Sequence, residues 1–140
     1  MKILMAAVVV VMGCSAQAQQ VQKDVLVCNF SNPSFEVQYN ANTGEVSYSG
    51  VAASDAATSS VQVIAPNAEL KEDSKAFGVY SLVDKVSGQV IMALHLGKGR
   101  DGTSDYIYPF SAEYKGSIGG CDTSKVSAYS ASSLVNGLKR

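Results

Sequence analysis

Short runs in which apolar and polar residues alternate, each closed by a turn-forming cluster, recur along most of this chain. Phe35, Val37 and Tyr39 alternate with Glu36, Gln38 and Asn40. A period of two sends alternate side chains to opposite faces, so the run predicts a half-buried strand. Asn32-Pro33-Ser34 before it predicts a turn, because proline fixes φ while asparagine and serine bond to the local backbone. Asn40-Ala41-Asn42-Thr43-Gly44 after it predicts a hairpin connection, with Gly44 free to take a positive φ. Asp24 to Phe30 predicts an earlier strand with Leu26, Cys28 and Phe30 on one face. Val46 and Tyr48 alternate with Glu45, Ser47 and Ser49 in a later one. The three together predict a meander.

Val51 to Ser60, rich in Ala, Ser and Thr, predicts a loop, and Ser60 to Ile64 a fourth short strand that stops before Pro66. The charged run Glu69 to Lys75 predicts a solvated loop or one exposed helical turn. Ala76 to Val83 predicts a strand with Phe77, Val79 and Val83 on one face, followed by a turn over Asp84 to Gly88. Gln89 to Leu96 is the most apolar run, apolar on both faces, which predicts a central strand. Gly97 to Asp105 predicts a polar loop. Tyr106 to Tyr114 predicts a strand that Pro109 forces to an edge or a bulge. Gly116 to Thr123 predicts the closing strand, with Gly119-Gly120 permitting a bend or close packing. The fold class is therefore all-β. About eight antiparallel strands in a small barrel or sandwich are expected. The tail 124–140 is Ser-rich, and from Leu134 it predicts a short helix or a disordered end.

The beginning of the chain has the layout of an export signal. Lys2 precedes an uncharged apolar run from Ile3 to Gly13, and Ala16-Gln17-Ala18 offers small residues for cleavage before Gln19. Val11-Met12-Gly13-Cys14 supports a second processing route, a lipoprotein signal over 1–13 with Cys14 acylated. Both routes remain open, and both place the protein in the periplasm, outside the cell or on the outer membrane. Either leaves a single β domain over 19–123. Cys14 is then removed or lipidated, so Cys28 and Cys121 remain as a disulfide pair between the first and last strands.

Charge narrows the partners. One of the eleven basic residues, Lys2, lies in the leader and none of the twelve acids does, so the remainder is weakly acidic. No basic field is present for nucleic acid, and no polybasic run for an anionic membrane surface. Membrane attachment is expected only through a lipid on Cys14.

No catalytic constellation is legible, and no cofactor is expected. The single histidine, His95, lies in the apolar run and reads as a structural or surface residue. With two bridged cysteines it cannot supply a zinc set, so no metal is expected. Lys98 and Arg100 lie in the glycine-rich loop Gly97-Lys98-Gly99-Arg100-Asp101-Gly102, which lacks the phosphate-binding P-loop spacing. They read as candidate partner contacts, and Ser87 in the preceding turn as another. Asp101 and Asp105 are the carboxylates that a small loop-based enzyme would use. Tyr106, Tyr108 and Phe110 share a face by period two, with Tyr114 nearby, as a core wall or as a sugar- or peptide-contacting strip.

The layout resembles the small bacterial periplasmic inhibitors of c-type lysozyme, which are eight-stranded antiparallel barrels. It rests on a leader with a lipobox-like end, a cysteine on the first strand, a meander and a cysteine on the last strand. The residues that match the family's Ser-Gly and Lys-Gly elements are Ser87-Gly88 and Lys98-Gly99. The resemblance implies that Ser87 and Lys98 contact the catalytic carboxylates of a lysozyme. The residues themselves, taken without it, lead to an exported non-catalytic binding or shielding module of the bacterial envelope. A loop-carboxylate enzyme and a structural envelope lipoprotein are the other classes.

Overall fold

The computed structural model describes residues 24–51, 59–123 and 138–139. The export signal, Cys14 and most of the 124–140 tail lie outside those residues, as does most of the loop expected over Val51 to Ser60. Among the described residues nine strands form: β1 (Val25–Phe30), β2 (Phe35–Asn40), β3 (Val46–Val51), β4 (Ser59–Ala65), β5 (Ala68–Glu72), β6 (Val79–Asp84), β7 (Val90–Gly99), β8 (Tyr108–Tyr114) and β9 (Ser117–Thr123). They make one curled antiparallel sheet in the order β4-β3-β2-β1-β9-β8-β7-β6-β5. The first and last strands pair directly, and Cys28 stands opposite Cys121. These two cysteines form the disulfide, with sulfurs 2.03 Å apart across a sequence separation of 93.

The ninth strand has a simple origin. Each ladder reverses strand direction, and eight ladders separate β4 from β5 around the sheet. An even number of reversals leaves β4 and β5 running the same way. Only Pro66 and Asn67 separate them, so they are two halves of one bent strand that changes neighbours, from β3 to β6. The bend is tied on both sides: the Ala68 amide donates to the Gly44 carbonyl at 2.6 Å and the Lys85 amide to the Asn67 carbonyl at 2.9 Å. Proline at the corner costs no ladder bond, because it has no N–H to pair.

Alternation places the core as expected. Leu26, Cys28 and Phe30 of β1 and Phe35, Val37 and Tyr39 of β2 are buried. Leu82, Met92, Leu94, Phe110 and Ala112 continue the inner face through β6, β7 and β8.

Four expectations need correction. The charged run at Glu69 to Lys75 is not a loop. Its first half is β5, with Leu70 buried and Glu69 and Lys71 outward, where they meet at 3.2 Å. The strand expected from Ala76 begins only at Val79. Gly78 there has a φ of 75°, and Phe77 is 93% exposed. A bulge between Leu82 and Val83 also breaks the expected alternation, so that both are buried. The strand expected from Tyr106 begins at Tyr108.

Pro109 lies inside β8, which is paired on both sides, so the edge alternative falls and the bulge alternative holds. Leu96 opposes Phe110 and Gly99 opposes Tyr108, leaving two residues of β7 against Pro109. The bulge absorbs the missing N–H of the proline. It also explains the glycines: Gly97 takes a φ of 132°, and a Cβ on Gly99 would collide with the Phe110 carbonyl. Gly119-Gly120 answers a different demand. The Phe30 ring lies where a Cβ on Gly119 would stand, and the Tyr108 ring where a Cβ on Gly120 would stand.

Candidate functional site

The bent strand leaves a seam. From Ser59 to Ala65, β4 pairs among the described residues with β3 only, and beyond its other edge lie the β6–β7 turn and the start of β7. A cleft of about 430 Å³ occupies this gap, between Gln62–Ala65 on one side and Asp84–Ile91 on the other. A second cleft of about 290 Å³ adjoins it, lined by Pro33, Phe35, Tyr48, Gln62, Ile64, Tyr114, Lys115 and Ser117. Gln62, Ile64, Tyr114 and Lys115 line both. The two clefts therefore form one groove from the seam to the mouth of the curled sheet.

The floor of this groove is aromatic. Phe30 and Phe35 stack with centroids 4.5 Å apart, and Phe35 stacks on Tyr48 at 5.3 Å. Tyr114 tilts against Phe35 at 5.8 Å and Tyr48 at 6.3 Å. Such pairs add about 0.5–1.5 kcal/mol each beyond buried area, so the floor is a rigid surface. Neighbouring strands bring the rings together: Phe35 opens β2 opposite Gly50 of β3, and Tyr114 ends β8. Lys115 occupies the tight β8–β9 turn with a φ of 48°. Its Nζ stands 5.3 Å from the Tyr114 ring centroid, which places one positive charge at the rim of an apolar floor.

Asp84 also borders the groove, but its carboxylate is committed. Oδ1 accepts from the Val86 amide at 2.9 Å and Oδ2 from the Ser87 hydroxyl at 2.9 Å. These bonds hold its carboxyl below the ordinary carboxylate range, the backbone bond from Val86 contributing most. Ser87 is thus a brace of its own turn, and its Oγ in addition accepts from the Gln89 amide at 3.3 Å.

The remaining sequence candidates lie elsewhere. Lys98 and Arg100 are exposed near the far end of β7. Eight residues of strand separate Val90 from Lys98, roughly 25 Å at the usual rise, so Ser87 and Lys98 stand at opposite ends of β7. Asp101 organises the β7–β8 loop. It accepts from the amides of Thr103 (2.9 Å) and Ser104 (2.8 Å), from the Ser104 hydroxyl (2.8 Å) and from the Tyr108 hydroxyl (2.9 Å). The Ser104 and Thr103 amides lead in holding its carboxyl far below the ordinary range. A carboxylate so engaged is a loop brace and a poor general acid. Asp105 is exposed, and His95 points outward from β7 and is exposed.

The expected aromatic strip divides. Phe110 is in the core, Tyr108 covers Gly120, and Tyr106 lies half-exposed in the loop with its hydroxyl donating to Asp122 Oδ2 at 2.8 Å. That bond raises the Tyr106 phenol above its ordinary value. Of the four ring residues singled out from the sequence, only Tyr114 reaches the groove. Phe35, Tyr48 and Ile64 were legible as strand residues, but no sequence signal joined them, because the groove exists only where β4 turns away.

No family model, no characterised protein and no solved structure matches the chain. The disulfide is consistent with an oxidising compartment. Among the described residues no helix is long and apolar enough to cross a membrane.

Proposed function

We propose that this protein is a non-catalytic binding module of the bacterial envelope, periplasmic or secreted, and that the groove along β4 is its ligand site. One observation carries the reading: an aromatic floor of Phe35, Tyr48 and Tyr114 that opens to solvent beside a single lysine. Concave apolar surfaces with a few placed polar groups are the usual form of a ligand site. The carboxylates nearest to chemistry, Asp84 and Asp101, are consumed by their own loops, which supports binding over catalysis. The leader motif and the disulfide support export, and intact mass of the mature protein separates cleavage before Gln19 from acylation of Cys14.

The test is a titration of isotope-labelled, oxidised protein with anilinonaphthalene sulfonate, an aromatic anion, followed by NMR. Saturable shifts confined to Tyr48, Ile64, Tyr114 and Lys115 are expected. Shifts scattered over the surface, or none, overturn the reading.

A further inference from the structure

We infer that the occupant of the groove is an extended peptide segment of a partner protein, which adds as a strand to the bare edge of β4. This rests on the groove being the ligand site, and it specifies the ligand's chemistry. Three features of the molecule point to a strand.

The first is the backbone. Among the described residues β4 pairs only with β3, and its second edge lies along the 430 Å³ cleft with its N–H and C=O groups. Strand addition satisfies such groups directly and gives affinity that depends little on sequence. Natural proteins block edges with charge, proline or a covering segment. From Ser59 to Ala65 the sequence SSVQVIA carries no charge, and proline appears only at the corner that follows.

The second is the alternation of surfaces beside that edge. Gln62 and Ile64 line the aromatic groove, while Val61 and Val63 alternate with them and are 70% and 50% exposed. Val90, across the seam, is 60% exposed. An added strand would set one row of side chains over Tyr114 and Ile64 and the other row beside the valines. Its sequence would therefore be apolar or β-branched on both faces over a short stretch.

The third is charge. Among the described residues Lys115 is the only cation lining the groove, and the one acid lining the seam, Asp84, keeps its charge with both oxygens held by its own turn. The lysine is exposed at the rim, its Nζ 5.3 Å from the Tyr114 ring centroid, where an opposite charge on a ligand in the groove would meet it. The peptide would accordingly carry a carboxylate, on a side chain or at its end, next to Lys115.

The probe is a displayed library of random seven-residue peptides, selected on the oxidised mature protein. Selected peptides should be rich in β-branched and apolar residues with an acid at a fixed position. Hydrogen exchange should show alternate amides between Ser60 and Ile64 slowed at least tenfold by the bound peptide. N-methylating every second peptide amide should weaken binding at least tenfold in one phase and little in the other. Selection on Lys115→Glu should replace the acid by lysine or arginine, while Lys115→Met should lose the preference. The inference is overturned if no peptide is enriched, if peptides bind without slowing β4 exchange, or if β4 is protected by rising protein concentration alone, which would make a second copy the occupant. If the sulfonate dye fills the groove and no peptide does, the strand inference fails and the ligand-site reading stands.

Discussion

At one edge of the sheet β5 carries Glu69, Lys71 and Glu72, while at the other β4 carries no charge between Ser59 and Ala65. The two are halves of one bent strand, two residues apart, yet they meet solvent differently. The end of the chain returns to the β5 side. Leu138 is fully buried in the core, its carbonyl accepts from the buried Tyr39 hydroxyl at 3.4 Å, and Lys139 pairs with Glu72 at 3.3 Å. The segment thus links β2 to β5. Among the described residues only β3 pairs with β4, along which the aromatic groove lies. Among the described residues the chain end thus lies against β5, through Lys139 and Glu72, whereas none of them but β3 pairs with β4, and the proposed partner site is tested by this contrast.

The largest expected effect tests whether the contrast depends on the whole sheet. The disulfide joins β1 to β9 in the middle of the strand order, three strands from the β4 edge and four from the β5 edge. Closing a loop of 93 residues stabilises by roughly 4.6 kcal/mol in the chain-entropy model. Reduction should lower Tm by on the order of 15–20 °C. It should raise hydrogen exchange at β4 and β5 alike, because both edges hang from the same staple. Selective loss of β4 alone would show that the edge is held independently of the closure.

Next is Leu138→Ala. A buried leucine truncated to alanine costs about 2–5 kcal/mol, and the site lies at a chain end that can relax, so the low end is expected. Exchange should accelerate in β5 and around Tyr39 and leave Ser60–Ile64 unchanged. Denaturant unfolding followed by residue-resolved exchange would measure both. Equal acceleration at β4 would mean that the tail does not seal one edge preferentially.

Much of this was open to sequence reading, and the boundary is instructive. Phe35, Val37 and Tyr39 alternate over six residues, long enough for the period to identify the strand and its buried face. β5 has only five residues, three of them charged, so its inward pair Ala68 and Leu70 was outweighed by Glu69, Lys71 and Glu72. Phe77 misled in the opposite direction: its apolarity reads as core, whereas the turn containing Gly78 sends it outward. The disulfide was legible because export logic leaves two cysteines. The groove was not, since it depends on where the bent strand changes neighbour from β3 to β6, a matter of register and curvature rather than residue type. Leu138 was hidden for a related reason: Leu134, Val135 and Leu138 follow a Ser-rich stretch over too few residues for a period to announce burial.

A smaller effect concerns the rim of the bare edge. Asp84 has a folded pKa below its unfolded value, so its contribution is fully present above the ordinary carboxylate value of roughly 3.9. It is lost as pH falls through the folded value. Asp84→Ala should lower Tm slightly at neutral pH and approach the native Tm as pH falls through the folded value. Thermal melts across pH would show the two curves converging. Curves that stay parallel into acid would mean that the carboxylate's hydrogen bonds to Val86 and Ser87 do not brace the turn facing β4.

The smallest effect on stability is the most pointed test of the contrast. Lys71 is exposed and its pair with Glu69 is 58% and 32% accessible, so breaking it should change stability by no more than about 0.5 kcal/mol. Its effect on association should differ in kind. Lys71→Val removes the positive charge from β5 and leaves a β-branched residue in a strand still flanked by Glu69 and Glu72. Val61→Lys places a charge on β4 at a side chain already 70% exposed, with equally small cost. If edges are protected by charge, Val61→Lys should reduce strand capture at β4. Lys71→Val should leave the protein as monomeric as before, since Leu138 and Lys139 still cover that side. Sedimentation velocity of both variants, with β4 exchange in the presence of a selected peptide, gives the comparison. Association caused by Lys71→Val would show that charge, rather than the returning chain end, is what seals β5.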